Sequence, residues 1–124
     1  MRTAAQRTGD DAEASVARYL AGLGWRLLGS HVRVGRGELD LVAVDPGPPP
    51  ALVIVEVRWR GRRDFGLPEE TVDHRKRARL HQAGYALRDR GQFPDRSVVP
   101  QLPLRFDLIA VEPGARMRHY RHGV

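Results

Sequence analysis

The 124-residue chain has no cysteine, a single lysine, and no apolar run long enough to cross a bilayer. Without cysteine there is no disulfide, no thiol nucleophile, no iron–sulfur ligation and no cysteine-built zinc site. A metal would have to be held by His, Asp or Glu. A spanning helix needs roughly 20 consecutive apolar residues, and the opening MRTAAQRTGDDAEA lacks the hydrophobic segment of a secretory signal. A cytoplasmic protein without a membrane partner is therefore expected. No internal repeat is visible. The length suits one domain over residues 1–124, because single domains most often run about 100–150 residues.

What the chain does have is positive charge. Lys and Arg number 21 against 15 Asp and Glu, a net charge of +6, and every basic residue except Lys76 is an arginine. Such an excess on a small domain attracts polyanions, with nucleic acid as the first candidate. Hydrophobic residues make up 41% of the chain, enough to build a core.

Local patterns give an order of helix, three strands, helix and strand. In residues 10–23, Asp10 and Asp11 can cap a helix that places Ala12, Val16, Leu20 and Leu23 on one stripe and stops at Gly24. Residues 25–34 read as a strand with a bend. Residues 38–44 (ELDLVAV) and 52–58 (LVIVEVR) are β-rich runs joined by a proline-laden loop, and should form an antiparallel pair. Asp73 can cap a second helix reaching Arg90, with Lys76 heading an inward stripe of Leu80, Ala83 and Leu87. Residues 104–111 form the last strand, and 113–124 a basic tail, loose at its end.

Strand alternation carries the functional clue. Asp40, Val42 and Val44 share one face of their strand, as Leu52, Ile54, Glu56 and Arg58 do on the next. A loop centred near Pro48 opposes Val44 to Leu52, Val42 to Ile54 and Asp40 to Glu56, so the hydrophobes match and two acids face each other. Opposed ionised carboxylates repel unless one is protonated or a cation lies between them. A divalent ion such as Mg²⁺ or Mn²⁺ would satisfy both. Arg58, Arg60, Arg62 and Arg63 follow directly, and arginines beside an acid pair suit a phosphodiester partner, probed through its backbone. The plainer alternative is a structural Glu56–Arg58 ion pair with a solvated Asp40. Asp107 reads as a satisfied structural polar group, Trp59 as packing, and His119 and His122 as solvated tail residues. His31 lies near the acids without a defined role.

These residues resemble the YraN-like family of small bacterial proteins, in the PD-(D/E)xK nuclease superfamily and related to archaeal Holliday-junction resolvases. The resemblance rests on Gly9, Glu13, Tyr19 and Leu20; on Gly37 to Leu41 (GELDL); on Val55 to Arg60 (VEVRWR); on Phe65, Gly66 and Lys76; and on Arg105, Phe106 and Asp107. It implies a restriction-endonuclease-like α/β core, a central mixed sheet flanked by helices. It also implies that Asp40 and Glu56 are metal ligands, approached by Glu13 from the first helix, with position 58 carrying the active-site lysine. Here position 58 is Arg, which stays charged and is a poor general base. Either Lys76 supplies the missing ammonium, or it is a snorkelling lysine left by chance.

The resulting expectation is a metal-dependent DNA endonuclease, with branched or junction DNA as candidate substrate and a symmetric dimer as the matching assembly. Its rivals are a nucleic-acid-binding protein that has lost turnover on the same fold, and a basic scaffold for a protein partner.

Overall fold

A computed structural model describes residues 4–60, 74–114 and 116–124, with the side chains of 4–10 left aside. In chain order the elements are α1 (Ala4–Gly22), β1 (Arg26–Val34), β2 (Gly37–Asp45), β3 (Ala51–Trp59), α2 (His74–Arg90), β4 (Leu104–Glu112) and β5 (Arg116–Tyr120). They build one five-stranded sheet in the order β1-β2-β3-β4-β5. The β3–β4 pair is parallel and the other three pairs are antiparallel. A parallel neighbour cannot be reached by a tight turn, and α2 lies in the connection between the two strands.

The expected α/β architecture is present, a mixed sheet with a helix on each face. Ala12, Val16 and Leu20 of α1 join Trp25 in covering Leu41, Ala43, Val53, Val55 and Ile109. On the opposite face Leu80, Ala83 and Leu87 of α2 cover Val42, Leu52, Ile54, Phe106 and Leu108. Because both faces are covered, β3 reads as a continuous apolar run, buried from Ala51 through Glu56. Gly84 lets α2 settle close to the sheet, since a Cβ there would meet the Phe106 ring at 2.6 Å. That close seat brings the start of α2 over the end of β3.

Helix α1 begins earlier than its capping residues suggest, at Ala4 rather than near Asp10. Its end is the expected one. Gly24 takes a φ of +84°, its N–H bonds the Ala21 carbonyl, and the Trp25 N–H bonds that of Leu20, both at 3.0 Å. This is the Schellman arrangement, in which glycine supplies the left-handed residue at no steric cost. The bend in β1 is an irregularity between Leu27 and Gly29. The β2–β3 register is the one the hydrophobes demanded, Val44 opposite Leu52 and Val42 opposite Ile54.

Three expectations are corrected. The tail does not hang free: residues 116–120 pair antiparallel with β4, and Val124 is buried. Met117 packs on the α1 face and Tyr120 on the α2 face, so a segment that is basic in composition has its apolar members on an alternating pattern. His119 is not solvated, because its ring is enclosed between Tyr19, Trp25 and Asp107. Trp59, expected to pack in the core or at an edge, is 44% exposed at the end of β3 and belongs to neither core cluster.

Asp107 occupies the structural role expected of it. Fully buried, its carboxylate accepts hydrogen bonds from Arg105 Nε and NH2 at 2.8 and 2.9 Å and from the His122 N–H at 3.2 Å. His119 Nε2 lies 2.8 Å from its second oxygen, and Arg105 also reaches Asp45 at 2.9 Å. Burial alone would push the Asp107 carboxyl up, but the His119 and Arg105 contacts outweigh it and hold the group below the ordinary carboxylate range. The network ties β5 to β4. Among the described residues, no helix is long and apolar enough to cross a membrane.

Candidate active site

The ladder between β2 and β3 closes with Leu41 opposite Val55, and the two acids lie one step beyond. There the Asp40 carboxylate replaces a backbone partner, accepting the Val57 N–H at 2.9 Å. Glu56 is buried, with 7% of its side chain exposed. It is bracketed by two cations, Lys76 Nζ at 2.7 Å and Arg58 Nε at 3.8 Å from the same oxygen. Lys76 thus reaches across from the first turn of α2 to the sheet.

Asp40 is the strained member of the group. Burial is the main reason its carboxyl rises from 3.8 to about 7, and the negative charges of Glu56 and Glu13 push in the same direction. The Val57 N–H works against the rise, because it favours the ionised form. A largely buried acid next to a second acid keeps a negative charge only at a cost that a cation would relieve.

Glu13 approaches from α1 and is engaged by His31, whose Nε2 contacts its carboxylate while Nδ1 lies 3.1 Å from Glu38. His31 sits in β1 with a φ of 50°, in the left-handed region that non-glycine residues seldom adopt. The Glu38 contact raises its pKa, partial burial opposes this, and the charges of Glu13, Glu38 and Asp40 add to the rise. The residue had only proximity to recommend it in the sequence; the left-handed turn that aims its ring between two acids leaves no compositional trace.

The chain therefore brings Asp40, Glu56, Arg58 and Lys76 into one cluster, with Glu13, His31 and Glu38 at its edge. Arg60 continues β3 and bonds the Val111 carbonyl through its backbone N–H at 2.8 Å. Arg62, Arg63, Phe65, Gly66 and the cap residue Asp73 lie outside the described residues. Among those that are described, no group of three or more His, Asp or Glu side chains is arranged to hold a metal ion. The donor set still suits a hard cation, since Mg²⁺ is commonly held by one or two carboxylates and completes its shell with water and substrate phosphate.

Comparison with other proteins places the chain among close relatives. It is 38% identical over 110 residues to a UPF0102 protein of Symbiobacterium thermophilum, an alignment spanning 88% of this chain and 85% of the relative. A UPF0102 protein of Moorella thermoacetica is 41% identical over 107 residues, spanning 86% and 81%. One from Roseiflexus castenholzii is 37% identical over 110 residues, spanning 89% and 82%. Among solved structures, Pyrococcus furiosus SfsA in complex with Ca²⁺ aligns at 12% identity over 93% of this chain and 63% of that one. Its TM-score of 0.29 makes the likeness too distant to bear on fold or chemistry. The model of the uncharacterised protein family UPF0102 matches residues 12–111, a span holding both acids, the lysine and four of the five strands, and the chain belongs to that family.

Proposed function

We propose that the protein is a metal-dependent endonuclease of the PD-(D/E)xK type that hydrolyses phosphodiester bonds in DNA, with branched DNA as the preferred substrate. The observation that carries this reading is the placement of Asp40 and Glu56 on neighbouring strands just past the end of their shared ladder, with Lys76 2.7 Å from Glu56. A protein that merely binds DNA has no use for an acid pair with one member buried, since the pair repels phosphate.

In this reading Asp40 and Glu56 hold a Mg²⁺ or Mn²⁺ ion, with Glu13 near enough for its charge to be felt at Asp40. When bound, such an ion polarises a phosphoryl oxygen and makes a bound water more acidic. The protein's own contribution is position and charge. Arg58 lies on the same face as Glu56 and neutralises the scissile phosphate as charge builds on it. Lys76 takes the place left by the arginine at position 58, a compact ammonium at the same carboxylate where guanidinium spreads its charge over a plane. Arg60, at the end of the described part of this segment, is placed to bind a backbone phosphate, and Arg62 and Arg63 are assigned the same partner from the sequence alone.

The test is cleavage of linear, nicked, flapped and four-way DNA in Mg²⁺ and in Mn²⁺, with chelator as control. Wild type should cut at least one substrate in an ion-dependent manner. Absence of cutting on every substrate, with salt-sensitive binding intact, would favour the pure binding protein. Within the same assay, Lys76→Ala should lower the rate by roughly 10²–10³-fold, the usual cost of removing one preorganised charge donor. Arg58→Ala should lose less in rate and more in apparent affinity. An undiminished Lys76→Ala rate would return the lysine to a structural role.

A further inference from the structure

Beside the acid pair, the turn between β1 and β2 and the adjoining side of α2 enclose a cleft of about 410 Å³ whose lining includes Arg36, Arg79, Gln82, Ala83 and Arg90. A second hollow of about 230 Å³ shares Arg36, Arg79 and Ala83 with it and extends to Glu38 and Lys76. The two share part of their lining, and the second reaches Lys76, the residue that touches Glu56. On α2, positions 76, 79, 83, 86 and 90 recur at helical spacing and share one face. At 1.5 Å of rise per residue this stripe is about 21 Å long.

Among the described residues, little negative charge on α2 offsets the basic residues on this side of the molecule. Helix α2 has no acidic residue in its first turn, where the helix dipole already favours negative charge. Instead it opens His-Arg-Lys-Arg-Ala-Arg, which sets Arg75 and Arg79 four residues apart as a like-charge pair. Among the described residues, Arg36, Arg79 and Arg90 take part in none of the ion pairs. A surface helix that served only to cover the sheet would carry interspersed acids, whereas α2 has one, Asp89. The arrangement fits an external polyanion.

The shape narrows the choice. A hollow of a few hundred cubic ångströms takes one extended strand, while a double helix, whose grooves alone are about 6–12 Å wide, could touch only the rim. The floor is alanine, valine and glycine with no aromatic ring, so recognition would run through phosphates rather than stacked bases. We propose that this cleft is the track of an unpaired nucleic-acid strand, whose phosphates are neutralised by Arg36, Arg79 and Arg90 as it leads to the acid pair. The proposal rests on the nuclease reading for its direction, and adds to it the substrate class: a site with a single-stranded arm.

The test measures fluorescence anisotropy of labelled single-stranded DNA, single-stranded RNA and duplex DNA of one sequence, without divalent ions, across a salt series. The variant Arg36→Gln/Arg79→Gln/Arg90→Gln is compared with Arg26→Gln/Arg96→Gln/Arg116→Gln, which removes the same charge from exposed positions elsewhere. The cleft variant should bind the single strand at least tenfold more weakly than the control variant, and its logarithmic salt slope should fall by about 2, near 0.7 for each of three lost phosphate contacts. Duplex binding should change less. Replacing the three arginines with lysine should keep affinity within a few fold. Equal losses in the two Gln variants, or a larger loss on duplex than on single strand, would overturn the track. If wild type binds no nucleic acid, both the track and the nuclease reading fall. If the cleft variant binds normally while wild type still cuts DNA, the track alone falls.

Discussion

Asp40→Asn is expected to abolish ion-dependent DNA cleavage, by roughly 10³-fold or more, and at the same time to make the metal-free protein more stable at pH 8. The two effects have one cause. Burial and the neighbouring acids raise the Asp40 carboxyl to about 7 in the fold, against 3.8 ordinarily. A carboxyl raised on folding contributes its stability in the protonated form, in full below pH 4, and loses it as the pH climbs through 7. Asparagine keeps the oxygen that accepts the Val57 N–H and never carries the charge. The variant should therefore match wild type at pH 4, gain on it between pH 4 and 7, and stay ahead above that. The full excursion corresponds to ~4 kcal/mol at about 1.36 kcal/mol per unit. Solvent at the half-buried carboxyl screens it to about 1–2 kcal/mol. Urea denaturation at pH 4.5 and pH 8 with chelator present measures the difference. A variant less stable than wild type at both values would show that the charge at Asp40 is already compensated within the fold.

Asp107→Ala should be the most damaging single substitution to the fold, costing about 3–5 kcal/mol. The carboxylate is inaccessible to solvent and meets Arg105, His119 and the His122 N–H. Its removal leaves the Arg105 guanidinium, 11% exposed, with only Asp45 among its ion-pair partners here. Asp107→Asn keeps the shape and loses the charge, and should cost less. Since the group is held below its ordinary range in the fold, its contribution is present above about pH 4 and fades as the pH falls through its folded value. A shift in denaturation midpoint equivalent to less than about 1 kcal/mol would mean that β5 is held by its ladder and not by this network.

The core and the acid pair were legible in the sequence because strand alternation and hydrophobic matching constrain each other. Once Val42 must face Ile54, Asp40 can only point toward Glu56. Lys76 was legible for a similar reason, as the charged head of an apolar helical stripe. What escaped reading depends on partners distant along the chain. RMRHY has no apolar run, and becomes a strand because Met117, His119 and Tyr120 find Trp25, Asp107 and the sheet faces. His31 escaped because its role follows from one backbone angle. The arginines of α2 looked like general basic character until the β1–β2 turn closed beside them.

The central claim is that Asp40 and Glu56 form a divalent-ion site. Calorimetric titration of Mn²⁺ into the protein at pH 7.5 tests it without reference to turnover. Wild type should bind one ion, and a matching rise in melting temperature should follow from ligand linkage. Asp40→Asn and Glu56→Gln should each lose the binding heat and the rise. Undiminished Mn²⁺ binding in Asp40→Asn, or none in wild type, would contradict it.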